Sequence, residues 1–390
     1  MSSRQGLTAA FVVVAVLAAG GLLLAGTGGD ARQRAAAGDG AVGELRVSRD
    51  GWKTDFARHS VPLSQFISGG PPRDGIAPID DPKFVPPTAA ARWLDPSEPV
   101  IVVERGASAR AYPHQILIWH EIVNDELDGD PIAVTYCPLC NSALVFDRRL
   151  DGRTLRFGTT GNLRRSDLVM WDDATESWWQ QLTGEAVVGE LTSERLRALP
   201  AETLSFADFR ARHPRGEVLS RDTGHDRAYG RNPYEGYDEP DEQPFLLEDD
   251  ADRRLAPKER VVSIIRGERA AVVPFSRLRD EPVANVEVAG ERLVVLFAPG
   301  VRSALDAASI GDSRDVGTAG AFARELDGRE IELVAAGRGR FRDRATGSSW
   351  DVTGRAVAGP RRGQRLRPVV HDLSFWFAVA AFAPDVKIVR

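Results

Sequence analysis

The sequence predicts a β-rich α+β protein, built from two tandem copies of one strand-rich unit behind an N-terminal membrane segment. Short apolar runs alternate with glycine turns along most of the chain, which is typical of strands joined by hairpins. Two stretches of the chain also resemble each other at a constant offset, and an uncharged segment precedes both. We expect the two copies to pack as a pseudo-symmetric pair, because duplicated units can bury equivalent faces against each other.

The N-terminal segment from Gly6 to Gly29 carries no charged side chain and includes the run FVVVAVLAAGGLLLAG. A membrane-spanning helix needs about 20 apolar residues, whereas a signal peptide has a shorter apolar region before a cleavage site. Residues 1–29 are therefore either a cleaved signal peptide or a retained membrane anchor. Both interpretations place the rest of the chain outside the cytoplasm, where cysteines can be oxidised.

Composition limits the partners of the protein. The 390 residues include 50 Lys and Arg against 56 Asp and Glu, which gives a net charge of −6. A protein with this balance has no basic field to hold a nucleic-acid backbone, so nucleic acid is not expected as a partner. The length is sufficient for two domains with cores of their own.

Five segments follow the N-terminal one. Residues 30–51 are rich in Ala, Gly and Arg and are interpreted as a linker. Residues 52–99 contain SGGPPRDGIAPIDDPKFVPP, whose prolines and glycines predict an irregular wrap with several aromatic side chains to bury. The first repeat covers residues 100–221 and the second covers residues 256–390. The inter-repeat loop, residues 222–255, either builds a binding surface or simply bridges the copies.

The repeat is clearest at the start of each copy. VIVVERGASARAYPHQIL in the first copy aligns with VVSIIRGERAAVVPFSRL in the second, which places Arg105 on Arg266. Held without a gap, the same offset places Ser142 on Ser303. The best helix candidates, LSFADFRARH and DLSFWFAVAAF, lie near the end of each copy.

Both cysteines of the chain lie in the first copy, in the stretch AVTYCPLCNSALVF. The ungapped alignment sets Cys137 against Ala298 and Cys140 against Val301. Residues that are required only for folding should tend to recur in both copies, whereas the residues of a functional site need not. Cysteines that occur in one copy alone therefore indicate a functional site in that copy.

The CPLC turn favours a metal site but leaves two alternatives. A C-P-x-C turn between two strands, followed by a residue that tolerates a left-handed conformation such as Asn141, is typical of a rubredoxin-like metal knuckle. In thioredoxin-like proteins the CxxC opens a helix instead. A redox-active pair and a structural disulfide both stay open as alternatives, although so short a disulfide loop contributes little to stability.

Two thiolates rarely complete a metal site, so further ligands are needed. His120, in IWHEIVND, is the first choice, followed by His114 and Glu121, and then by His225 in the inter-repeat loop. Met170 would suit a weak thioether ligand to copper, or it simply fills the core. Both first-copy histidines have a structural alternative, and Glu121 could instead orient His120.

Several long motifs occur together and in order: WKTDFARHSVPLSQFISGGPPRDGI, ARAYPHQILIWHEIVND, VTYCPLCNSALVFDR, SDLVMWDDATESWWQQLTGEAVVG and YGRNPYEGY. Together they resemble the bacterial and archaeal family named domain of unknown function 3179, over about residues 52–390. The resemblance implies an extracytoplasmic or membrane-anchored protein that retains the HE and CPxC elements. In this chain His120, Glu121, Cys137 and Cys140 occupy those elements.

The leading hypothesis is an extracytoplasmic metal-binding protein that holds copper or zinc through Cys137, Cys140 and His120. The alternatives are a thiol–disulfide redox protein that uses the same cysteines and a non-enzymatic scaffold whose ligand lies between the repeats. The sequence has no GxSxG, no HExxH and no phosphate-cradling glycine loop, and it assigns no catalysed reaction. The membrane, through residues 1–29, is the one partner that the sequence predicts.

Overall fold

Strands dominate the structure, as the alternating apolar runs predict. The structure is a computed structural model that describes residues 44–390, with 40% strand and 11% helix. The prediction of a β-rich α+β fold is confirmed. The predicted membrane segment, residues 1–29, and most of the predicted linker lie outside the described residues. Among the helices of residues 44–390, none has both the length and the apolar character that crossing a membrane requires.

The helices and strands are short. The α-helices are α1 (Pro87–Ala90), α2 (His114–His120), α3 (Phe206–Arg212), α4 (Phe275–Asp280) and α5 (Trp376–Phe382). Single 3₁₀ turns occur at Leu63–Gln65 and Ile310–Asp312. The strands up to residue 221 are β1 (Phe66–Ser68), β2 (Phe84–Val85), β3 (Pro99–Arg105), β4 (Ser108–Pro113), β5 (Ile122–Leu127), β6 (Asp130–Cys137), β7 (Ser142–Asp147), β8 (Arg149–Leu150), β9 (Arg153–Thr154), β10 (Phe157–Arg164), β11 (Asp167–Asp172), β12 (Trp178–Gln180), β13 (Glu185–Val188), β14 (Ala198–Leu199), β15 (Glu202–Ser205) and β16 (Glu217–Leu219). Those that follow are β17 (Arg260–Arg266), β18 (Arg269–Pro274), β19 (Val283–Val288), β20 (Glu291–Ala298), β21 (Thr318–Ala323), β22 (Glu325–Leu326), β23 (Arg329–Glu330), β24 (Leu333–Ala335), β25 (Arg340–Asp343), β26 (Ser349–Asp351), β27 (Ala356–Ala358), β28 (Asp372–Phe375) and β29 (Lys387–Ile388).

One sheet in each half is built on a hairpin. In the first half the order is β15-β3-β4-β16-β2, with β15 antiparallel to β3 and β16 parallel to β4. In the second half the order is β28-β17-β18-β29, with β28 antiparallel to β17 and β29 parallel to β18. The two hairpins therefore acquire their outer strands in the same orientations.

The next hairpin shows where the ungapped alignment fails. The β6–β7 ladder pairs Cys137 with Ser142, and the β20–β21 ladder pairs Ala298 with Thr318. Thr318 therefore corresponds to Ser142, and the placement of Ser142 on Ser303 is wrong. Backbone pairing sets the register of a strand ladder. When the connection between two paired strands is longer in one half, an ungapped sequence alignment places residues of that connection opposite the second strand of the other half. The connection is residues 138–141 in the first half and residues 299–317 in the second.

Both predicted late helices are present, as α3 and α5. The hydroxyl of Ser205 caps α3 by accepting a hydrogen bond of 3.0 Å from the backbone N–H of Asp208, one of the N–H groups that a helix start leaves unpaired. The sequence did not predict α2 or α4, each of which begins directly after a proline. All but one of the seven α2 residues are buried, so HQILIWH shows no amphipathic period.

The predicted wrap packs against the first half. Phe66 and Ile67 are buried in β1, which joins the sheet of order β1-β10-β11-β12-β13. Trp52 and Phe56 contact the buried Trp178 edge to face, with ring centroids 5.3 and 5.2 Å from it. Aromatic burial therefore holds this proline-rich segment, which has only short strands and helical turns, against the first half.

A shared apolar core joins the two halves near the cysteines. Cys137 and Cys140 belong to a buried cluster that also contains Phe375, Phe377 and Ala378 from the end of the chain. The second half therefore contributes packing to the cysteine turn of the first.

Candidate metal centre

The CPLC turn closes tightly between β6 and β7. Asn141 has a φ of 51°, and its backbone N–H donates a hydrogen bond of 3.2 Å to the carbonyl oxygen of Pro138. The left-handed conformation predicted for Asn141 is confirmed. The backbone N–H of Cys140 is directed at the sulfur of Cys137, which favours the thiolate there. The turn thus has the features expected of a metal knuckle.

An aspartate completes a compact group with the two cysteines. Ligand atoms of Cys137, Cys140 and Asp167, namely two Sγ atoms and one carboxylate oxygen, all lie within 4.8 Å of one another. The residues are 1%, 0% and 0% exposed, and both cysteines are free thiols. Three potential anionic ligands therefore meet in a place that water does not reach.

The start of β11 positions Asp167. Arg165 and Ser166 form the preceding turn with φ values of 52° and 62°. Asp167 Oδ2 accepts hydrogen bonds from Gln180 Nε2 at 2.5 Å and from the backbone N–H of Leu182 at 3.1 Å. Asp167 Oδ1 is buried and accepts no hydrogen bond from an N–H or O–H group within the described part of the chain. One carboxylate oxygen is thus fixed by N–H donors, and the two thiols are the hydrogen-bond donors that approach Asp167 from the cysteine turn.

Glu121 approaches the same group from the end of α2. Its φ is 60°, and it is only 7% exposed. Its backbone N–H donates to the carbonyl oxygen of Leu117 at 2.7 Å, and its carbonyl oxygen accepts from the N–H of Tyr136 at 2.8 Å. Non-glycine residues with positive φ are uncommon and concentrate at functional sites. The backbone on both sides therefore holds Glu121 in this conformation.

Burial keeps the two thiols and most of Glu121 protonated when no ion is bound. Loss of solvent raises the pKa of the Cys137 and Cys140 thiols. Burial, with a smaller contribution from the Asp167 charge, raises the pKa of Glu121 to about 8. Burial also raises the pKa of Asp167 to about 6, although its hydrogen bond from Gln180 opposes the rise. Near neutral pH, both thiols and most of Glu121 carry their protons.

His120, the ligand that the sequence favoured, lies outside this group. Its Nδ1 is 2.7 Å from the carbonyl oxygen of Ala77, and its Nε2 is 2.6 Å from the hydroxyl of Tyr229. Burial lowers the pKa of His120 to about 4, so the ring is neutral. Its exposed neighbour in the inter-repeat loop, His225, lies ring to ring 5.3 Å away.

The other sequence candidates also lie outside the group. His114 packs on the ring of Tyr136 at 4.4 Å, and both of its ring nitrogens are buried without a hydrogen-bond partner in residues 44–390. Burial lowers the pKa of His114 to about 3. Met170 is buried three residues after Asp167 on β11, and side chains at odd spacing on a strand point to opposite faces. Of the residues proposed from the sequence, the structure brings together Cys137 and Cys140, while Glu121 lies outside the 4.8 Å group and near enough for its charge to raise the pKa of Cys137.

The inter-repeat loop covers the group. The hydroxyl of Ser166 donates a hydrogen bond of 2.5 Å to the carbonyl oxygen of Phe245. The thiol of Cys140 is 3.4 Å from the carbonyl oxygen of Ser166. Burial raises the pKa of Tyr234 and of Tyr237, and the nearby Cys137 contributes to both shifts. The loop therefore packs over the cysteines, in addition to joining the two halves.

Asp167 is the residue that the sequence interpretation missed. Backbone pairing sets Met170 opposite Trp179 in the first half and Phe341 opposite Trp350 in the second. By this register Asp167 corresponds to Arg338. The two halves therefore differ at Asp167 as well as at the cysteines. A comparison of the halves in this register would have singled out Asp167.

The chain is similar to known proteins through one family model. Residues 73–386 match the family described as protein of unknown function (DUF3179). The chain belongs to the DUF3179 family. The resemblance inferred from the sequence motifs is thereby confirmed, and the match includes Glu121, both cysteines and Asp167. No curated protein and no solved structure matches the chain.

Proposed function

We propose that this DUF3179 protein binds a transition-metal ion, zinc above all, through Cys137, Cys140 and Asp167, with Glu121 as the fourth ligand. The observation that carries the proposal is that two sulfur atoms and an Asp167 carboxylate oxygen lie within 4.8 Å of one another in a buried place. The thiols of Cys137 and Cys140 hydrogen-bond to Asp167 there, but a thiol is a weak donor. A metal ion would replace the thiol protons and bind all three groups as anions.

The donor types favour zinc over copper. Zinc accepts both thiolate and carboxylate ligands, with bonds of about 2.0 to 2.3 Å, so its ligand atoms lie about 3 to 4 Å apart. That separation is compatible with the 4.8 Å limit within which the three ligand atoms lie. Copper in a thiolate site is better served by imidazole or thioether groups. His120 is hydrogen-bonded elsewhere, and Met170 faces away from Asp167.

The burial of the group supports a structural role for the ion. Structural zinc sites have four protein ligands and no open position, whereas catalytic sites keep one position for water or substrate. Cys137, Cys140, Asp167 and Glu121 could provide all four ligands, and none of them is more than 7% exposed. The ion would then fasten β6, β7, β11 and the end of α2 to one another.

Metal analysis of the purified full-length chain tests the proposal. We expect about one zinc ion per chain after reconstitution under reducing conditions, and none in the Cys137→Ser variant. Stoichiometric copper in place of zinc would support the proposed ligands and show that the bound ion is copper. The absence of any stoichiometric metal would overturn the proposal.

The proximity of the two sulfur atoms also supports a second candidate, a thiol–disulfide redox protein. The thiolate is the reactive form, and burial raises the pKa of both thiols, so their reactivity should be low. A redox role requires a reversible disulfide between Cys137 and Cys140. Titration against glutathione buffers would detect it as a defined midpoint potential.

We also propose that the protein acts outside the cytoplasm, attached to a membrane or secreted. The uncharged segment from Gly6 to Gly29 supports this location. We further infer that residues 100–221 and 256–390 arose as two copies of one unit. The shared motifs and the equal orientations of the outer strands around the β3–β4 and β17–β18 hairpins support the duplication.

A further inference from the structure

In the first half, the wrap closes the outer edge of strand β13. His59 forms an antiparallel bridge with Val188. The backbone N–H of Ser60 donates a hydrogen bond of 3.0 Å to the carbonyl oxygen of Val187, and the N–H of Gly189 donates one of 2.8 Å to the wrap. Val187 and Val188 are 2% and 0% exposed as a result. An extended segment from outside the repeat therefore completes this sheet.

Strand β27 of the second half is the counterpart of β13. Ala356 of β27 pairs with Trp350, as Ala186 of β13 pairs with Trp179. In each ladder the register shifts directly before this tryptophan. The three residues after Ala356 therefore correspond to the three residues after Ala186.

The outer edge of β27 is open where that of β13 is closed. Val357, in the place of Val187, is 37% exposed, and Ala358 beside it is also exposed. Within residues 44–390, no segment forms a bridge with this side of β27. The backbone N–H of Gly359, in the place of Gly189, has no acceptor in that part of the chain. Strand β27 therefore presents backbone groups with which an added strand could pair.

The outer face beside this edge differs in charge between the halves. In the first half, Trp52 of the wrap contacts Trp171 and Trp178 there, with ring centroids 5.9 and 5.3 Å from its own. Trp171 pairs with Trp178 across the sheet, and Arg342 pairs with Ser349 at the same two positions of the second half. An arginine therefore stands where the first half has an aromatic ring under the wrap.

The positive charge of this face is not compensated within the described chain. Four arginines around it are exposed and form no salt bridge within residues 44–390: Arg338, Arg340, Arg342 and Arg362. The acidic residues between 338 and 362 are Asp343 and Asp351, and both are buried. Asp343 pairs with Arg361 at 2.9 Å, and Asp351 lies 3.6 Å from Arg212.

We propose that β27 binds an extended acidic segment of a partner protein, along the course that the wrap follows on β13. The backbone of the segment would pair with Val357 and Gly359, and its acidic side chains would cross the outer face to Arg340 and Arg342. In this mode of recognition, main-chain hydrogen bonds supply affinity and side chains supply specificity. None of the four candidate metal ligands lies in β24–β27, so binding does not require the ion.

Charge decides the kind of occupant. Residues 30–43 of this chain contain two aspartates and two arginines, and so lack the acidic excess that the arginine face requires. A second copy paired through its own β27 would bring two arginine faces together, and like charges across a sheet are destabilising. An acidic segment supplies both the extended backbone and the opposite charge.

Fluorescence anisotropy with the full-length protein tests the proposal. The probe is a labelled peptide of about twelve residues, in which glutamates precede alternating threonine and valine, both good strand formers. We expect saturable binding at one site per chain, because the wrap already occupies β13. Two control peptides should bind at least tenfold more weakly: one has lysines in place of the glutamates, and the other has N-methylated valines that cannot donate hydrogen bonds.

Variants at exposed positions test the two parts of the surface. The double variant Arg340→Glu with Arg342→Glu should weaken binding of the acidic peptide at least tenfold. Val357→Glu should do the same from the edge. The matched control is Arg153→Glu, at an exposed arginine of β9 without a salt bridge in the described chain, which should change affinity less than twofold. Melting curves should show that all of these variants fold.

Hydrogen exchange separates strand addition from simple charge attraction. Bound peptide should slow amide exchange in residues 356–359. The proposal is wrong if the acidic peptide shows no saturable binding up to about 1 mM, if the N-methylated peptide binds equally well, or if folded variants bind as wild type does. Tighter binding of a single-stranded oligonucleotide of equal charge would also overturn it. A wild-type dimer that Val357→Glu converts to monomer would make a second copy the occupant and refute the acidic partner.

Discussion

The backbone N–H of Phe375 donates a hydrogen bond of 2.8 Å to the carbonyl oxygen of Cys140. A second bond of 2.6 Å runs from the Asn141 side-chain amide to the carbonyl oxygen of Leu373. Strand β28, near the end of the chain, thus holds the cysteine turn from outside the first half. The geometry of the candidate metal centre therefore depends on both halves.

Replacement of Asp167 should remove a metal ligand without changing the shape of the site. We expect Asp167→Asn to lower zinc affinity at least tenfold, because an amide is a much weaker zinc ligand than a carboxylate. Competition with a chromophoric chelator measures the change.

The matched control for this prediction is Asp172→Asn, at the other end of β11. Asp172 is also fully buried, but its oxygens accept hydrogen bonds from Thr175 N at 2.7 Å and Trp179 Nε1 at 2.9 Å. This variant should lose about 1 to 3 kcal/mol of unfolding free energy and keep one zinc per chain. Equal loss of zinc in both variants would mean that Asp167 acts through folding alone.

A His120 variant distinguishes the ligand set proposed from the structure, which lacks His120, from the set predicted from the sequence, which includes it. His120→Ala removes contacts to Ala77 and Tyr229, so we expect a lower melting temperature. Because the imidazole does not join the cysteine group, zinc stoichiometry should be unchanged. Loss of zinc from a folded His120→Ala protein would restore His120 as a ligand.

The conformation of Asn141 predicts a graded response to substitution. Asn141→Gly preserves the left-handed turn and removes the bond to Leu373, so it should cost about 1 kcal/mol and retain zinc. Asn141→Val places a β-branched side chain at a φ of 51° and should be clearly more destabilising. Chemical denaturation of the two variants gives the order, and a smaller loss for Val than for Gly would contradict it.

The buried carboxyl of Glu121 predicts the pH dependence of the metal-free protein. Its pKa is about 8 in the folded chain, above the ordinary 4.5, so the folded state holds a proton that the unfolded state has released. Stability is therefore complete below pH 4.5 and falls as pH rises towards 8, by at most about 1.4 kcal/mol per pH unit.

A comparison with Glu121→Gln between pH 6.5 and 8 isolates this effect, because burial also raises the pKa of Glu202 to about 7 and so lowers stability with rising pH in both proteins. The lowered pKa values of His114 and His120 act in the opposite direction, but only below pH 6.5. Asp167, the charged group beside Glu121, has a pKa of about 6 and has largely ionised by then. We expect melting temperatures of metal-free wild type to fall across this window and those of Glu121→Gln to fall less. Parallel curves would show that Glu121 ionises freely in the folded chain.

The strand-rich fold and the knuckle could be predicted because both depend on local sequence. Strands follow from alternating apolar runs, and the turn follows from proline, two cysteines and Asn141 within five residues. Asp167, the third member of the buried group, could not be predicted in the same way. Asp167 reaches the cysteines through the pairing of β10, β11 and β12, and acidic residues are too common in this chain for one to stand out.

The separation of His120 from the cysteine group has a physical cause. His120 and Glu121 are adjacent, and a histidine beside a glutamate is the more usual ligand by residue type. At the end of α2 the chain turns through the positive φ of Glu121, and the two side chains make different contacts. The imidazole contacts Ala77 and Tyr229, while the carboxyl group lies near enough to Asp167 for the charge of Asp167 to raise the pKa of Glu121. The opposite placement of the two side chains depends on where α2 ends, and α2 was not predicted from the sequence.

The cover formed by residues 222–255 has a kinetic consequence. Backbone hydrogen bonds from Asn232 to Ala308 and from Gly236 to Asp306 anchor it to the long connection 299–317. A bound ion beneath it could leave only while this cover is open. Its release to a chelator should then proceed at a rate set by the opening of the protein, and that rate should stay constant as the chelator concentration is raised.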